Sequence, residues 1–194
     1  MQAKTWIGLT ALASLLGCYG VIRSTTRPSQ KPNVVVMVID DAGYADFGFM
    51  GCRDLRTPNL DLLAKDGIVF SDGHVTASVC SPSRAGLLTG RYLQRFGYEC
   101  NEGDQYSGLD AGEVTIAQVL QTNGYKTAGF GKWHIGYQKD QQPIPKGFEY
   151  FYGFLAGSRS YFYRPDRDDR PGNARAIQEN GVQVAFEGYL TDVL

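Results

Sequence analysis

The hydrophobic pattern of this chain changes period several times, and each change predicts an element. Residues 33–41, NVVVMVIDD, run almost unbroken in β-branched and apolar side chains up to two aspartates. A run of that kind suits a strand buried on both faces of a parallel sheet, because a half-exposed strand would alternate. Thr57-Pro58-Asn59 then opens a helical stretch, LDLLAK, which Gly67 closes, and IVF at 68–70 reads as another strand. Ser81 as N-cap and Pro82 as first helical residue start a second helix, buried through Leu87 and Leu88 and ended by Gly90. Thr115 caps IAQVLQTN, Gly124 closes it, and TAGF from 127 leads as a strand into Gly131-Lys132-Trp133-His134. Asn180-Gly181 between AIQE and VQVAF is a hairpin signal. Strand and helix alternate, so the class is α/β.

The first thirty residues break this pattern. MQAKTWIGLTALASLLGC carries one lysine, an apolar stretch from Trp6 to Leu16 and then Gly17-Cys18. The stretch is shorter than the ~20 residues that span a bilayer, and Gly8 and Thr10 interrupt it, so it reads as an export signal. Leu15-Leu16-Gly17-Cys18 is similar to a bacterial lipobox, in which the cysteine is lipidated after cleavage. Residues 1–18 are therefore a signal peptide and 19–32, polar with two prolines, a linker. The expected location is the periplasm or cell surface as a lipoprotein, or the medium as a secreted protein, with contact to a membrane only through the lipid.

Export alters the reading of the four cysteines, since the compartment is oxidising. With Cys18 set aside for lipid and Cys80 for chemistry, Cys52 and Cys100 remain for a disulfide, a pairing that spacing leaves open. The 194 residues suffice for one domain with a real core. A net charge of −1 from 19 basic and 20 acidic residues, with no long run of one sign, gives no footprint for nucleic acid.

Candidate chemistry gathers at three places. Asp40 and Asp41 end the first strand, where open α/β sheets place their ligand crevices; adjacent carboxylates repel unless a cation holds them, and a hard divalent metal is the natural partner. Strand alternation would send them to opposite faces, so both reach one ion only if the strand breaks at this point, which Ala42-Gly43 permits. Cys80 precedes a helix N-terminus, whose free N–H groups and partial positive charge suit a tetrahedral oxyanion, and Arg84 one turn on adds a bidentate cation. A thiolate phosphatase separates its cysteine and arginine by more than the three residues found here. Lys132 and His134 follow a strand end and fall on one side, with Trp133 on the other. His74, the remaining histidine, reads as structural. Tyr161-Phe162-Tyr163 with Arg159 and Arg164 would either stack on and clamp a sugar or belong to the core.

Taken in order, Asn33–Asp41 with Gly43-Tyr44, Thr57-Pro58-Asn59-Leu60, Cys80-Ser81-Pro82-Ser83-Arg84, Leu88-Thr89-Gly90 and Gly131-Lys132-Trp133-His134 resemble the N-terminal part of a formylglycine-dependent sulfatase. The likeness runs from about Pro32 to the end. It implies an alkaline-phosphatase-like fold with a largely parallel central sheet flanked by helices. It implies that a maturation enzyme oxidises Cys80 to formylglycine, whose hydrated form attacks the sulfur of a sulfate ester and then releases sulfate in a second step. The metal, calcium by resemblance with magnesium as alternative, would lie on Asp40, Asp41 and the group made from Cys80. Arg84 and Lys132 would bind formylglycine or sulfate oxygens, and His134 would hydrogen-bond the diol. The substrate class is sulfate esters, above all sulfated glycans.

The family's later motifs, which complete the metal site, are expected beyond position 194, so residues 33–194 are expected to be an incomplete catalytic domain, inactive by itself. Two other readings stand beside this one: a phosphoesterase of the same superfamily, and a sulfatase-like binding protein that has lost turnover.

Overall fold

The computed structural model describes residues 31–99 and 108–194, and the chain divides into two compact units, Met1–Val38 and Ile39–Leu194. Helices α1 (Pro58–Asp66), α2 (Cys80–Thr89), α3 (Ile116–Thr122) and α4 (Leu190–Val193) accompany strands β1 (Ala128–Lys132), β2 (Tyr150–Phe154), β3 (Gln178–Glu179) and β4 (Val182–Gln183). The four strands form one sheet in the order β1-β2-β3-β4. β1 and β2 run parallel from Ala128 opposite Tyr150 to Lys132 opposite Phe154, while β2–β3 and β3–β4 are antiparallel. Among the described residues the sheet is thus mixed, with a parallel pair where the chemistry-bearing strand lies.

Local signals explain most of these elements. Pro58 stands at the first turn of α1, and Thr115 makes a capping box with Gln118 at the start of α3. Asn180 and Gly181 take φ of 51° and 86°, the left-handed pair a two-residue hairpin turn requires.

Two predicted strands are absent. Residues 33–38 form no ladder, and Val35 is 80 % exposed; residues 68–70 are also irregular, with Ile68 83 % exposed. An apolar run of that sort has no stability of its own as a strand and takes it from flanking strands and covering layers. The helix carrying Cys80 also differs in detail. Val79, not Ser81, is its N-cap, so Cys80 is the first helical residue and Pro82 the third. Its buried face is Ser81, Pro82, Ala85 and Gly86, whereas Leu87 is exposed. A Cβ on Gly86 would stand 2.1 Å from Thr76 Oγ1, so the close approach there requires glycine.

The core under α2 and β1 contains Ala85, Tyr98, Leu109, Trp133, Ile135, Phe151 and Leu155. Trp133 packs edge-on against Phe148 and Phe151, and its indole N–H donates to the Gln141 carbonyl at 2.9 Å. A second cluster joins Phe154, Ala156, Ile177, Phe186 and Leu190. Trp133 is thereby anchored inward, next to the end of β1. Among the described residues no helix is long and apolar enough to cross a membrane.

Candidate active site

The first turn of α2 is fastened to the end of β1 by two bonds that skip the intervening chain. Arg84 donates from its guanidinium to the Lys132 carbonyl at 2.6 Å, and Ser81 Oγ donates to the His134 carbonyl at 2.5 Å. Cys80 and Arg84, four apart, lie on one side of the helix. Cys80 is half-buried at the N-terminus of α2, at the positive end of the helix dipole.

Asp40 gathers the cations. Its carboxylate accepts from Lys132 Nζ at 2.6 Å and lies 3.5 Å from an Arg84 nitrogen. Burial pushes the Asp40 carboxyl up, but the Lys132 hydrogen bond and the charges of Arg84 and Lys132 outweigh it and hold the pKa below the ordinary value. Lys132 and Arg84 keep only 11 % and 15 % of their side-chain surface, so two cations are largely withdrawn from water against the one carboxylate they share. Excess buried charge of one sign is unfavourable unless an ion of the other sign relieves it.

His134 completes the cluster from an unusual backbone. Its φ is 60°, held by its amide donating to the Leu155 carbonyl at 3.0 Å and by the Ser81 hydroxyl on its own carbonyl. Behind the ring lies Gly157, where a Cβ would come within 2.5 Å of Nε2. Burial first, then the charges of Lys132 and Arg84, push the imidazole pKa down to about 4, against a smaller upward pull from Asp40. The ring is neutral near pH 7. Among the described residues, His134 Nδ1 and Arg84 Nε are buried without a hydrogen-bond partner. The arrangement therefore offers concentrated positive charge, spare hydrogen-bonding groups and a neutral imidazole beside the start of α2, which suits a tetrahedral anion.

The structure thus brings together Asp40, Arg84, Lys132 and His134, with Cys80 one turn from Arg84. The chain turns at Asp41, with φ of 55°. Asp40 and Asp41 are hard oxygen donors of the type a divalent cation takes. Among the described residues no three His, Cys, Asp or Glu side chains meet as a metal-holding group.

Several other expectations change. Arg159 is no clamp: its guanidinium is locked bidentate on Asp169, both contacts at 2.9 Å, in a pair 1 % and 0 % exposed. Arg164 pairs with its neighbour Asp166 on the surface. Tyr161 and Phe162 are exposed, not core, and Tyr161 stacks on Tyr189 at 5.0 Å. His74 is an exposed residue bonded to Asp72 at 2.8 Å. Cys52 Sγ accepts from the Leu55 amide, while Cys100 and Cys18 lie outside the described residues. Sequence reasoning missed Ser81, Tyr98 and Gly157, because each acts through a residue far away in the chain; the one available hint was the polar Ser81 within the helix start.

The family model described as Sulfatase matches residues 32–194. Arylsulfatase G of Canis lupus familiaris is 41 % identical over 149 residues, covering 76 % of this chain and 28 % of that protein. Among solved structures, Ps i-CgsB is 38 % identical with a TM-score of 0.78, covering 84 % of this chain and 39 % of its own. A chain solved in complex with its substrate, D-glucosamine-2-N,6-O-disulfate, is 28 % identical with a TM-score of 0.67, covering 84 % of this chain and 29 % of its own. The chain spans between a quarter and two fifths of the proteins it matches here, and its fold is theirs, an alkaline-phosphatase-like α/β architecture. Match, fold and the cationic cluster at the start of α2 agree: the chain belongs to the sulfatase family.

Proposed function

We propose that the whole protein is a sulfuric ester hydrolase acting on sulfated sugars, with Cys80 as the precursor of its formylglycine. The observation that carries this reading is the convergence of Arg84, Lys132 and a neutral His134, two of them with buried unpartnered nitrogens, on the helix start that bears Cys80. The relative solved with a disulfated glucosamine supports a sulfated sugar as the substrate class.

The chain's own residues would divide the work. Arg84 and Lys132 hold the sulfate oxygens and neutralise charge that builds on them. Arg84, bonded to the Lys132 carbonyl, also keeps the two cations in register. His134, neutral at pH 7, holds one proton on its ring and accepts at the other nitrogen, so it can orient a hydroxyl at residue 80 or pass it a proton. Asp40 and Asp41 would hold the divalent cation, calcium or magnesium. When bound, that ion supplies positive charge for developing oxyanions, and formylglycine supplies an aldehyde hydrate as covalent catalyst. Residues 1–18 would serve as an export signal with Cys18 the lipid-bearing residue, 19–32 as a tether, and 33–194 as part of the catalytic domain.

Maturation and turnover test this directly. With the full-length protein co-expressed with a formylglycine-generating enzyme, the Cys80 peptide should lose about 18 Da, the mass difference between thiol and aldehyde. Aryl sulfate should be turned over faster than aryl phosphate, and Cys80→Ala should retain less than about one per cent of the rate while still folding. Faster cleavage of phosphate would make the protein a phosphoesterase; no turnover of either by the aldehyde-bearing protein would make it a binding protein.

A further inference from the structure

Ser81 sits between the cysteine and the proline of the motif, and no role in the chemistry above falls to it. It is nevertheless one of the most buried polar residues among those described, 2 % exposed. Its hydroxyl has a single hydrogen, which goes to the His134 carbonyl at 2.5 Å. The 2.7 Å contact between Ser81 Oγ and the Tyr98 hydroxyl must then run the other way, with the phenol O–H donating. Tyr98 is itself buried in the core, among Ala85, Trp133 and Phe151. A directed chain of two hydrogen bonds therefore passes from Tyr98 through Ser81 to the backbone of His134.

That backbone needs support. A non-glycine residue in the left-handed region is strained and persists only where its surroundings fix it. At His134 the fixing contacts are its amide on the Leu155 carbonyl, Gly157 behind the ring, and Ser81 on its carbonyl. Of these, only the Ser81 bond ties the turn to the helix that begins at Cys80. We propose that Ser81 is a positioning residue which, oriented by Tyr98, holds the His134 turn at a fixed distance from the start of α2. For its catalytic meaning this rests on the function proposed above, since what it aligns is His134 with residue 80.

The test uses the full-length matured protein, with aldehyde content at Cys80 measured by mass so that rates refer to aldehyde-bearing enzyme. Ser81→Ala should lower kcat on aryl sulfate by between about tenfold and a hundredfold, the range expected from misplacing a reacting group by a fraction of an ångström to 1 Å, and leave KM within about twofold. Ser81→Thr, which keeps the hydroxyl, should recover most of that loss, and Tyr98→Phe, which removes only the outer bond, should fall between wild type and Ser81→Ala. A change in KM alone, or an unchanged kcat in Ser81→Ala, overturns the proposal. If Ser81→Ala does not fold, Tyr98→Phe decides: an unchanged kcat overturns it. Should the wild type fail to cleave aryl sulfate, the functional reading falls but this one is still decided by the crystal structure of Ser81→Ala, where His134 should leave its positive φ or shift its ring; an unmoved His134 overturns it.

Discussion

Two clusters of charge in this protein look alike in sequence and differ in how completely they are satisfied. Between residues 159 and 175, Arg159 spends its guanidinium on both oxygens of Asp169 and on the carbonyls of Ser160 and Arg175, and stacks on Phe186 at 4.8 Å. Asp169 also accepts from the Arg164 amide, and Asp168 from the Ser160 amide and Arg167. At the start of α2, by contrast, Arg84 and Lys132 share one carboxylate, and Arg84 Nε and His134 Nδ1 have no partner among the described residues. The first cluster has little capacity left for a ligand and acts as a clasp on the chain. The second holds positive charge and hydrogen-bonding groups in reserve, which is unfavourable for folding alone and useful for binding an anion.

Breaking the clasp should have the largest effect on stability. Asp169→Ala leaves the Arg159 guanidinium buried and largely uncompensated, and removing one partner of such a pair costs about 3–5 kcal/mol. Denaturant unfolding of the full-length protein measures this. A loss below about 1 kcal/mol, the value of an exposed pair, would mean that the two clusters do not differ as described.

How much of this the sequence reveals depends on the range of the interactions involved. Helices α1, α2 and α3, strand β1 and the Asn180-Gly181 hairpin are all marked by residues within or beside them, such as the Thr115–Gln118 capping box. Arg84, Lys132 and His134, singled out by their place after a helix start and a strand end, lie together in the structure. Residues 33–38 and 68–70 are misread as strands because their fate depends on neighbours and not on their own side chains. The same holds for Arg159, whose partner Asp169 is ten residues away, and for Ser81, whose carbonyl acceptor is 53 residues away. A buried arginine with both its carboxylate contacts filled and a surface arginine awaiting a ligand are identical in a sequence.

A smaller perturbation probes the reserve cluster from behind. Alanine at Gly157 would put a methyl group 2.5 Å from His134 Nε2 as it now stands, closer than carbon and nitrogen approach without a bond. Because the obstructed atom is the far end of a side chain, the ring should give way while the backbone holds. Gly157→Ala is therefore expected to lower kcat on aryl sulfate by about tenfold with little change in unfolding midpoint. An unaltered kcat would remove His134 from the reacting group.

The least of the expected effects is in the acid sensitivity of the fold, and it follows from the imidazole being kept neutral. His134 titrates at about 4 in the folded protein against an ordinary value of 6.5. Between those two values the unfolded chain holds the extra proton and the folded chain does not, so lowering the pH favours unfolding. The penalty is absent well above pH 6.5, grows as the pH falls through that window, and is complete below 4. Asp40 also destabilises the fold in acid, since its carboxyl is held below 3.8, but its contribution is lost mainly under that value and so largely outside the histidine's window. In His134→Gln the first contribution disappears and the second stays. The unfolding midpoint of the variant should drop less than that of the wild type between about pH 7 and pH 4.5, and the two should fall in parallel below it. Equal slopes throughout would mean that the folded protein accepts a proton at His134 as readily as the unfolded chain does. The ring would then be in contact with water and screened from the two cations beside it, and the withdrawal from water that separates this cluster from an ordinary surface site would be weaker than its geometry implies.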